Sequence, residues 1–356
     1  MKRAYNFNAG PSCIPLDVLR EAQQEFLDFK NTGMSIIEMS HRSSEYNTLH
    51  QETKDLLRKL MEIPANYDIL FIQGGGSTQF LMTAANFFTK SRAAYINTGV
   101  WAKKAMAEAN FFGEAYEAAS SADRNHCYIP ETYNIKPNTS YLHITSNNTI
   151  YGTEFQKFPQ VNVPLICDMS SDILSRRINV ADFDLIYAGA QKNLGPAGVV
   201  IVVIKKDFLA TANQNLPTMM KYRTFADNDS LYNTPPVFCI YMINKTLHWL
   251  EKMGGISAIE HNNIAKSQII YNTIDNSDGF YIGHSEKAYR SKMNITFNLA
   301  EKELEKDFIN KAKAAGFIGV GGHRLVGGCR ASAYNAVSIE SCQALANFMD
   351  EYRKLC

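Results

Sequence analysis

Short apolar segments alternate with helical patterns between residues 67 and 204, and this alternation restricts the possible fold more than any other feature. Nearly continuous apolar strands are typical of parallel sheets that are buried on both faces. Parallel neighbours also need crossover connections, which are usually helical. The pattern therefore predicts an α/β architecture with a mostly parallel sheet covered by helices. The predicted strands are 67–72, 93–97, 140–145, 164–167, 185–188 and 198–204.

The length of 356 residues exceeds what one hydrophobic core usually supports, so we expect two domains. The pattern changes after Gly254 and Gly255. We expect a large domain at 16–255 and a smaller α+β domain that combines 1–15 with 256–356. Helices are predicted at 16–30, 44–61, 79 onward, 100–110, 241–253, 256–274, 301–315 and 338–355, with a further strand at 293–299.

Composition excludes several classes of function. The net charge is +1, which does not favour nucleic acid or an anionic membrane as a partner. The longest apolar run, 199–204, is too short to cross a bilayer. Seven cysteines without C-x-x-C spacing disfavour a disulfide framework or a zinc ribbon, and no metal site is predicted. No apolar segment follows Lys2 and Arg3, so we expect no secretory signal and a cytoplasmic location.

A single lysine, Lys192, follows the predicted strand 185–188 in a loop of small residues. Most lysines after a strand are simply exposed. Here Gly189, Ala190 and Gly195 leave room for a bulky ring beside the backbone. A lysine that is partly desolvated loses its proton more easily and can form a Schiff base, as it does with pyridoxal phosphate.

That cofactor also needs a carboxylate beside its pyridine nitrogen. Asp168 directly follows the apolar strand 164–167 and precedes Lys192 by 24 positions (192 − 168), which is room for one crossover. Asp172 and Asp184 are alternatives that do not directly follow an apolar strand. A helix cap is the structural alternative for Asp168.

The cofactor phosphate needs backbone N–H groups and hydroxyls. Gly75, Gly76, Ser77 and Thr78 provide both at the expected start of a helix. Trp101 begins another predicted helix, where its ring could stack on the cofactor or simply pack in the core.

Several motifs give the sequence a family resemblance over nearly its whole length. It resembles the phosphoserine aminotransferases, which are class V members of the fold-type I pyridoxal-phosphate enzymes. That resemblance implies a seven-stranded, mostly parallel sheet in the large domain. The motifs that carry it are 6–11, 38–43, 73–77, 187–193, 232–236, 322–324 and 327–332.

The resemblance also implies roles for individual residues. Lys192 would hold the cofactor covalently and shuttle the proton, and Asp168 would pair with the pyridine nitrogen. Trp101 would stack on the ring and Thr149 would bond near the ring hydroxyl. Contacts to the cofactor phosphate are implied for Gly76, Ser77 and Gln191. The resemblance also implies a homodimer with active sites at the interface, in which Asn233 and Thr234 reach the phosphate from the partner subunit.

Cationic residues would bind the substrates L-glutamate, phosphoserine and 3-phosphohydroxypyruvate, since arginine suits both carboxylate and phosphate. Some family members have an arginine where this chain has Ser77 and Thr78. The implied substrate residues are His41, Arg42, His323, Arg324 and Arg330.

Other functions stay open at this point. The phosphorylated hydroxythreonine of pyridoxine biosynthesis could be a second substrate. Serine–glyoxylate transamination and cysteine desulfuration, for which Cys329 would be the candidate thiol, are less favoured. A non-catalytic cofactor-binding module is disfavoured by the set of substrate cations.

Overall fold

A computed structural model of the chain describes residues 3–356. Met1 and Lys2, which the predicted small domain included, lie outside the described residues. The strands are β1 Tyr5–Asn6, β2 Tyr67–Gly74, β3 Arg92–Asn97, β4 Glu114–Ser120, β5 Thr139–Thr145, β6 Leu165–Asp168, β7 Leu185–Gly189, β8 Gly198–Lys205, β9 Tyr281–Gly283, β10 Asn294–Leu299, β11 Phe317–Ile318 and β12 Cys329–Ser332. The helices are α1 Leu16–Glu25, α2 Ser44–Leu60, α3 Gly76–Phe87, α4 Val100–Ala109, α5 Lys206–Ala210, α6 Tyr222–Asp227, α7 Val237–Lys252, α8 Gly255–Asp275, α9 Leu304–Ala314 and α10 Ile339–Leu355.

Within the described residues, the main sheet has seven strands in the order β2-β8-β7-β6-β5-β3-β4. Strand β8 runs antiparallel to both of its neighbours, and the other neighbouring pairs are parallel. The predicted α/β architecture with a mostly parallel sheet is therefore confirmed. The sequence did not predict β4, because this edge strand pairs only with β3 and keeps several polar, exposed positions.

Both faces of the main sheet are covered, which explains the apolar character of its central strands. Alternate residues of β8 belong to opposite layers: Val199, Ile201 and Val203 pack with α2 and α7, whereas Val200, Val202 and Ile204 pack with α3 to α6. The sheet is thus the middle layer of three, and its carboxyl edge is left free for a site.

The smaller C-terminal domain contains the antiparallel sheet β12-β10-β9 with α8, α9 and α10. Strand β1 pairs with β11, so the N-terminal segment joins this domain, and Phe7 is buried in its core. Helix α8 contributes Ile256 to the core of the main sheet and Ile270 to the small core. The boundary near 255 therefore stays a prediction.

Several predicted helix limits are wrong. The first helix ends at Glu25 and not near residue 30. Lys30 and Asn31 both have positive φ, which is incompatible with a helix up to residue 30, and the preceding Phe29 is buried. Helix α3 begins at Gly76, three residues earlier than expected, and α7 begins directly after Pro236. Helix α9 is shorter than the predicted 301–315. Across residues 3–356, no helix combines the length and apolar character needed to span a bilayer.

Candidate active site

A cleft lies at the carboxyl edge of the main sheet, where β5, β6 and β7 end with Thr145, Asp168 and Gly189. The space between its walls, including its opening to solvent, is about 470 Å³. Ligands of doubly wound sheets bind at this edge. Seven of the fourteen predicted site residues line it: Gly76, Ser77, Trp101, Thr149, Asp168, Gln191 and Lys192.

Lys192 lies in the turn between β7 and β8, and its Nζ donates a hydrogen bond of 2.7 Å to Thr149 Oγ1. Burial lowers the pKa of Lys192 to about 8; Asp168 opposes this shift, and the positive charge of Arg330 adds to it. The neutral fraction of the amine near neutral pH is therefore much larger than that of an exposed lysine, which favours a nucleophilic role.

The N-terminal segment covers this turn, which the sequence did not predict. The Ser12 backbone N–H donates to Gln191 O at 2.9 Å, and the Ser12 hydroxyl donates to Lys192 O. Gly10 has a φ of +146°, and a Cβ at this position would lie 3.6 Å from Lys192 Cγ. The positive φ therefore favours a glycine there, whereas a Cβ would only touch the lysine at ordinary van der Waals distance.

Asp168 is the last residue of β6 and is fully buried, which raises the pKa of its carboxyl group. Hydrogen bonds from Ser170, the charge of Lys192 and the hydroxyl of Tyr187 act in the opposite direction. Its Oδ1 accepts the Ser170 backbone N–H at 2.9 Å. The carboxylate is thus held by neutral donors at the floor of the cleft.

The two alternative carboxylates have other partners. Asp172 is buried and paired with Arg176 at 3.1 Å. Asp184 accepts the Leu165 backbone N–H at 2.9 Å, at the opposite end of β6. Of the three aspartates, Asp168 is the one that lines the cleft.

The helices α3 and α4 point their N-termini at the cleft. The N-cap of α3, Gly75, provides no side-chain hydrogen bond, so the N–H groups of Gly76 and Ser77 are available to an anion. Trp101, in the first turn of α4, lines the cleft and also packs partly against the core. Its Nε1 is buried without a partner among the described residues.

Gly189 lies against the Gln191 side chain, a contact that the sequence did not predict. A Cβ at this position would lie 2.6 Å from Gln191 Oε1, so the glycine makes room for the Gln191 side chain.

Part of the predicted substrate set lies beside the cleft. Arg330, in β12, donates from Nη1 to Thr149 O at 3.0 Å. The pKa of His323 is lowered by burial and by the nearby charges of Arg330, Arg324 and Lys104. Arg324 is exposed in the glycine-flanked turn between them. These residues give the mouth of the cleft a concentration of positive charge.

The structure does not bring the other four predicted residues into the cleft of the same chain. His41 and Arg42 precede α2, and Asn233 and Thr234 precede α7. The Thr234 carbonyl accepts from Gln73 Nε2 at 2.8 Å, which fixes this loop to the end of β2. His41 Nε2 and Asn233 Oδ1 are buried and lack a partner within the described part of the chain.

Five lining residues were not predicted. The rule that found Asp168, a polar residue at the end of an apolar strand, also applies to Thr145, which ends β5. Two serines directly follow Asp168 and Met169 in sequence. The five residues are Phe80, Thr145, Asn147, Ser170 and Ser171.

The residues present fit pyridoxal phosphate. The cleft combines an amine, a carboxylate and the free N-terminus of a helix, which suit the aldehyde, the pyridine nitrogen and the phosphate of the cofactor. Trp101 Nε1 and Thr145 Oγ1 are buried polar atoms that have no hydrogen-bond partner among residues 3–356. Such atoms are uncommon in a complete site and mark the position of a polar ligand.

Comparisons with known proteins agree with this reading of the cleft. The family model described as aminotransferase class-V matches residues 4–345. The phosphoserine aminotransferase of Lysinibacillus sphaericus is 55% identical, over 99% of this chain and 99% of that protein.

Solved structures are similar as well. The phosphoserine aminotransferase from Bacillus circulans subsp. alkalophilus has a TM-score of 0.98 at 50% identity, over 100% of this chain and 99% of that one. The pyridoxal-phosphate-bound phosphoserine aminotransferase from Trichomonas vaginalis has a TM-score of 0.93 at 36% identity, over 98% and 100% of the two chains.

Proposed function

Since the chain belongs to the class V aminotransferase family, we infer that it is a pyridoxal-phosphate-dependent phosphoserine transaminase. It interconverts 3-phosphohydroxypyruvate and L-glutamate with O-phospho-L-serine and 2-oxoglutarate, a reaction of serine biosynthesis. The observation that carries this function is the joint placement of Lys192, Asp168 and Arg330 around one cleft, in a chain 55% identical to a phosphoserine aminotransferase.

The residues that would hold the cofactor are those that line the cleft. Lys192 would link to it, Asp168 would face its pyridine nitrogen, and Trp101 would stack on its ring. The phosphate would bind at the start of α3, at Gly76 and Ser77, with Gln191. When bound, pyridoxal phosphate supplies an aldehyde that links to amines and a ring that withdraws electrons.

Lys192 Nζ would act as both base and acid. Because its pKa is lowered to about 8, the amine can accept the proton that leaves the α-carbon of the amino-acid substrate and release it again. Thr149 Oγ1 accepts a hydrogen bond from Nζ and so restricts the position of the amine. Ser12 fixes the backbone of the same turn.

The cationic residues would bind the distal group of each substrate. One site must accept the γ-carboxylate of glutamate and the phosphate of phosphoserine, and a guanidinium binds either with two parallel hydrogen bonds. Arg330 and His323 would hold these groups, and the exposed Arg324 can move between them. His41 and Arg42 complete the set.

The last part of the proposal is a homodimer with active sites at the interface. Asn233 and Thr234 do not line the cleft of their own chain, which supports a role in the cleft of a second copy. Exposed apolar side chains on α1 and after it, including Leu27 and Ile37, would be covered in such a dimer. We further propose a cytoplasmic location, and domain limits of 16–255 and of 1–15 with 256–356.

The site favours one related activity and disfavours another. We propose phosphohydroxythreonine as a second substrate, because the same cations would bind its phosphate and the mouth of the cleft is open. Cysteine desulfuration is disfavoured because Cys329 is buried in β12, and burial raises the pKa of its thiol. An inert, protonated thiol cannot attack a substrate.

The test is visible absorbance during addition of L-phosphoserine to the purified protein, with L-serine and L-cysteine as controls. We expect a yellow protein that bleaches with phosphoserine and recovers with 2-oxoglutarate. A yellow protein that ignores phosphoserine would overturn the substrate, and a colourless protein that cannot be reconstituted would overturn the function.

A further inference from the structure

A row of polar side chains lies under the cleft, on one face of the main sheet. Asp168 of β6 pairs in register with Tyr187 of β7. On β5, Thr145 pairs with Asp168, and His143 pairs with Tyr95 of β3. Paired residues of parallel strands, and residues two positions apart, share a face. These side chains therefore lie together between the sheet and α3.

His143 is the unusual member of this row. It is fully buried, and burial alone lowers its pKa to about 3, so its ring is neutral. Its Nε2 lies 2.9 Å from the Tyr187 hydroxyl. Its Nδ1 has no hydrogen-bond partner in the described part of the chain.

The missing partner determines the tautomer. If Nδ1 carried the proton, a buried N–H donor would be unsatisfied, and the Tyr187 hydroxyl would turn its lone pairs toward the Asp168 carboxylate. With the proton on Nε2, only a lone pair of His143 lacks a partner. An unsatisfied buried donor costs more than a spare lone pair. His143 Nε2 therefore donates to the Tyr187 oxygen.

The hydroxyl proton of Tyr187 is then free to point at Asp168. Asp168 and Tyr187 are cross-strand partners on this face, so the carboxylate lies beside the tyrosine side chain, whose hydroxyl helps to lower the pKa of Asp168. Both groups are buried, so the attraction between the hydroxyl dipole and the carboxylate is little weakened by water.

We propose that His143 and Tyr187 are positioning residues that form an ordered chain of donors aimed at Asp168 and keep its carboxylate ionised for the cofactor's pyridine nitrogen. This inference rests on the proposed function, in which Asp168 faces that nitrogen. The chain adds no net charge. It thus stabilises the anion without competing with the ring nitrogen, as a buried cation would.

The test uses variants that remove one donor at a time. Tyr187→Phe keeps the ring and removes the hydroxyl, and His143→Leu removes the donor behind it. His143→Gln retains an N–H in place of Nε2. The matched control is Tyr95→Phe, because Tyr95 lies on the same face and its hydroxyl bonds to Tyr141 at 2.8 Å rather than to Asp168.

The readout is the dissociation constant of the apoenzyme for two probes. One is pyridoxal phosphate, and the other is its carbocyclic analogue with C–H in place of the ring nitrogen. We expect Tyr187→Phe to weaken pyridoxal phosphate binding roughly tenfold. Binding of the analogue should be no weaker than in the unaltered protein, because the analogue has no nitrogen for Asp168 to pair with.

The double variant completes the test. Because His143 acts only through Tyr187, Tyr187→Phe with His143→Leu should bind no more weakly than Tyr187→Phe alone. His143→Gln should restore most of what His143→Leu loses. The donor chain is overturned if Tyr187→Phe weakens both probes equally, if Tyr95→Phe matches it, or if the two losses multiply. If the unaltered protein binds no pyridoxal phosphate, the proposed function itself fails.

Discussion

Lys192 Nζ donates a hydrogen bond of 2.7 Å to Thr149 Oγ1, and these two residues are 43 positions apart in the chain. The backbone of Thr149 accepts a second hydrogen bond, from Arg330 Nη1 at 3.0 Å. One threonine therefore joins the reactive amine in the large domain to a cation of the small domain. The nearness of Arg330 also helps to lower the pKa of Lys192.

Lys192→Ala should abolish turnover. Within residues 3–356 no other lysine lines the cleft, so both the covalent link and the proton transfer are lost. We expect kcat to fall by at least about 10⁴-fold. The measurement is steady-state formation of 2-oxoglutarate from the proposed substrates, with Lys266→Met as the control, since Lys266 is also a buried lysine with a lowered pKa but does not line the cleft. Near-normal turnover in Lys192→Ala would show that the lysine has been misassigned.

The pH dependence of the free amine can be measured in the apoenzyme. Since the pKa of Lys192 is lowered from 10.5 to about 8, its neutral fraction rises with pH and levels off well below the range of an exposed lysine. The rate at which trinitrobenzenesulfonate labels Lys192 can be followed by peptide mass spectrometry. This rate should rise with pH to a plateau, with a midpoint near pH 8. The exposed Lys59 is the internal standard. A midpoint for Lys192 equal to that of Lys59 would contradict the desolvation argument.

Six of the seven strands of the main sheet were predictable because local patterns determine them. Strand β6 was identified as an apolar segment that ends in a carboxylate, and β7 as an apolar segment that ends close to a lysine. Together these two strands identified the floor of the cleft. Strand β4 has no such pattern, since an edge strand with one neighbour is not forced to be apolar. Its existence depends on pairing with β3.

The rest of the site could not be predicted because it depends on contacts between distant segments. The link between His143 and Tyr187 requires the register of β5, β6 and β7, which no local pattern gives. The cover formed by Ser12 requires the N-terminal segment to pair with β11. Asn233 was reached through family resemblance, and a single chain does not place it in its own cleft.

Asp168→Asn should lower activity much more than Asp184→Asn. An amide cannot balance the charge of a protonated pyridine nitrogen, so we expect kcat to fall by roughly 10²-fold or more. Asp184 is the matched control, since it lies at the other end of β6 and accepts the Leu165 N–H, which an asparagine can also do. Single-turnover absorbance changes with L-phosphoserine measure the effect. Equal losses in both variants would mean a general disturbance of β6.

Arg330→Lys should raise KM more than it lowers kcat. Lysine retains the charge but loses the two-pronged geometry and the hydrogen bond to Thr149 O. We expect KM for phosphoserine to rise about tenfold or more, which corresponds to the loss of a charge-assisted hydrogen bond. The control is Arg353→Lys, an arginine–lysine change at an exposed pair with Asp278. An unchanged KM would remove Arg330 from the substrate set.

Arg176→Ala should destabilise the fold because it leaves the buried Asp172 without its cation and leaves the buried Glu154 paired with Lys292 alone. Arg176 pairs with Glu154 at 3.0 Å and with Asp172 at 3.1 Å, and removal of one partner of such a pair costs about 3–5 kcal/mol of unfolding free energy.

The loss of unfolding free energy in Arg176→Ala should depend on pH, and the direction of this dependence follows from the pKa of Asp172. Its pKa is already raised to about 6 by burial, and without Arg176 it rises further. The cost of the unpaired Asp172 charge is therefore largest above this range and is relieved as the pH falls through it and Asp172 takes up a proton. Urea unfolding of the cofactor-saturated proteins at pH 8 and pH 5 would measure the difference.

Lys59→Ala, at the exposed pair with Glu251, is the control and should change stability by less than about 0.5 kcal/mol at either pH. A loss in Arg176→Ala that is the same at both pH values would mean that lost packing, and not unpaired charge, accounts for it.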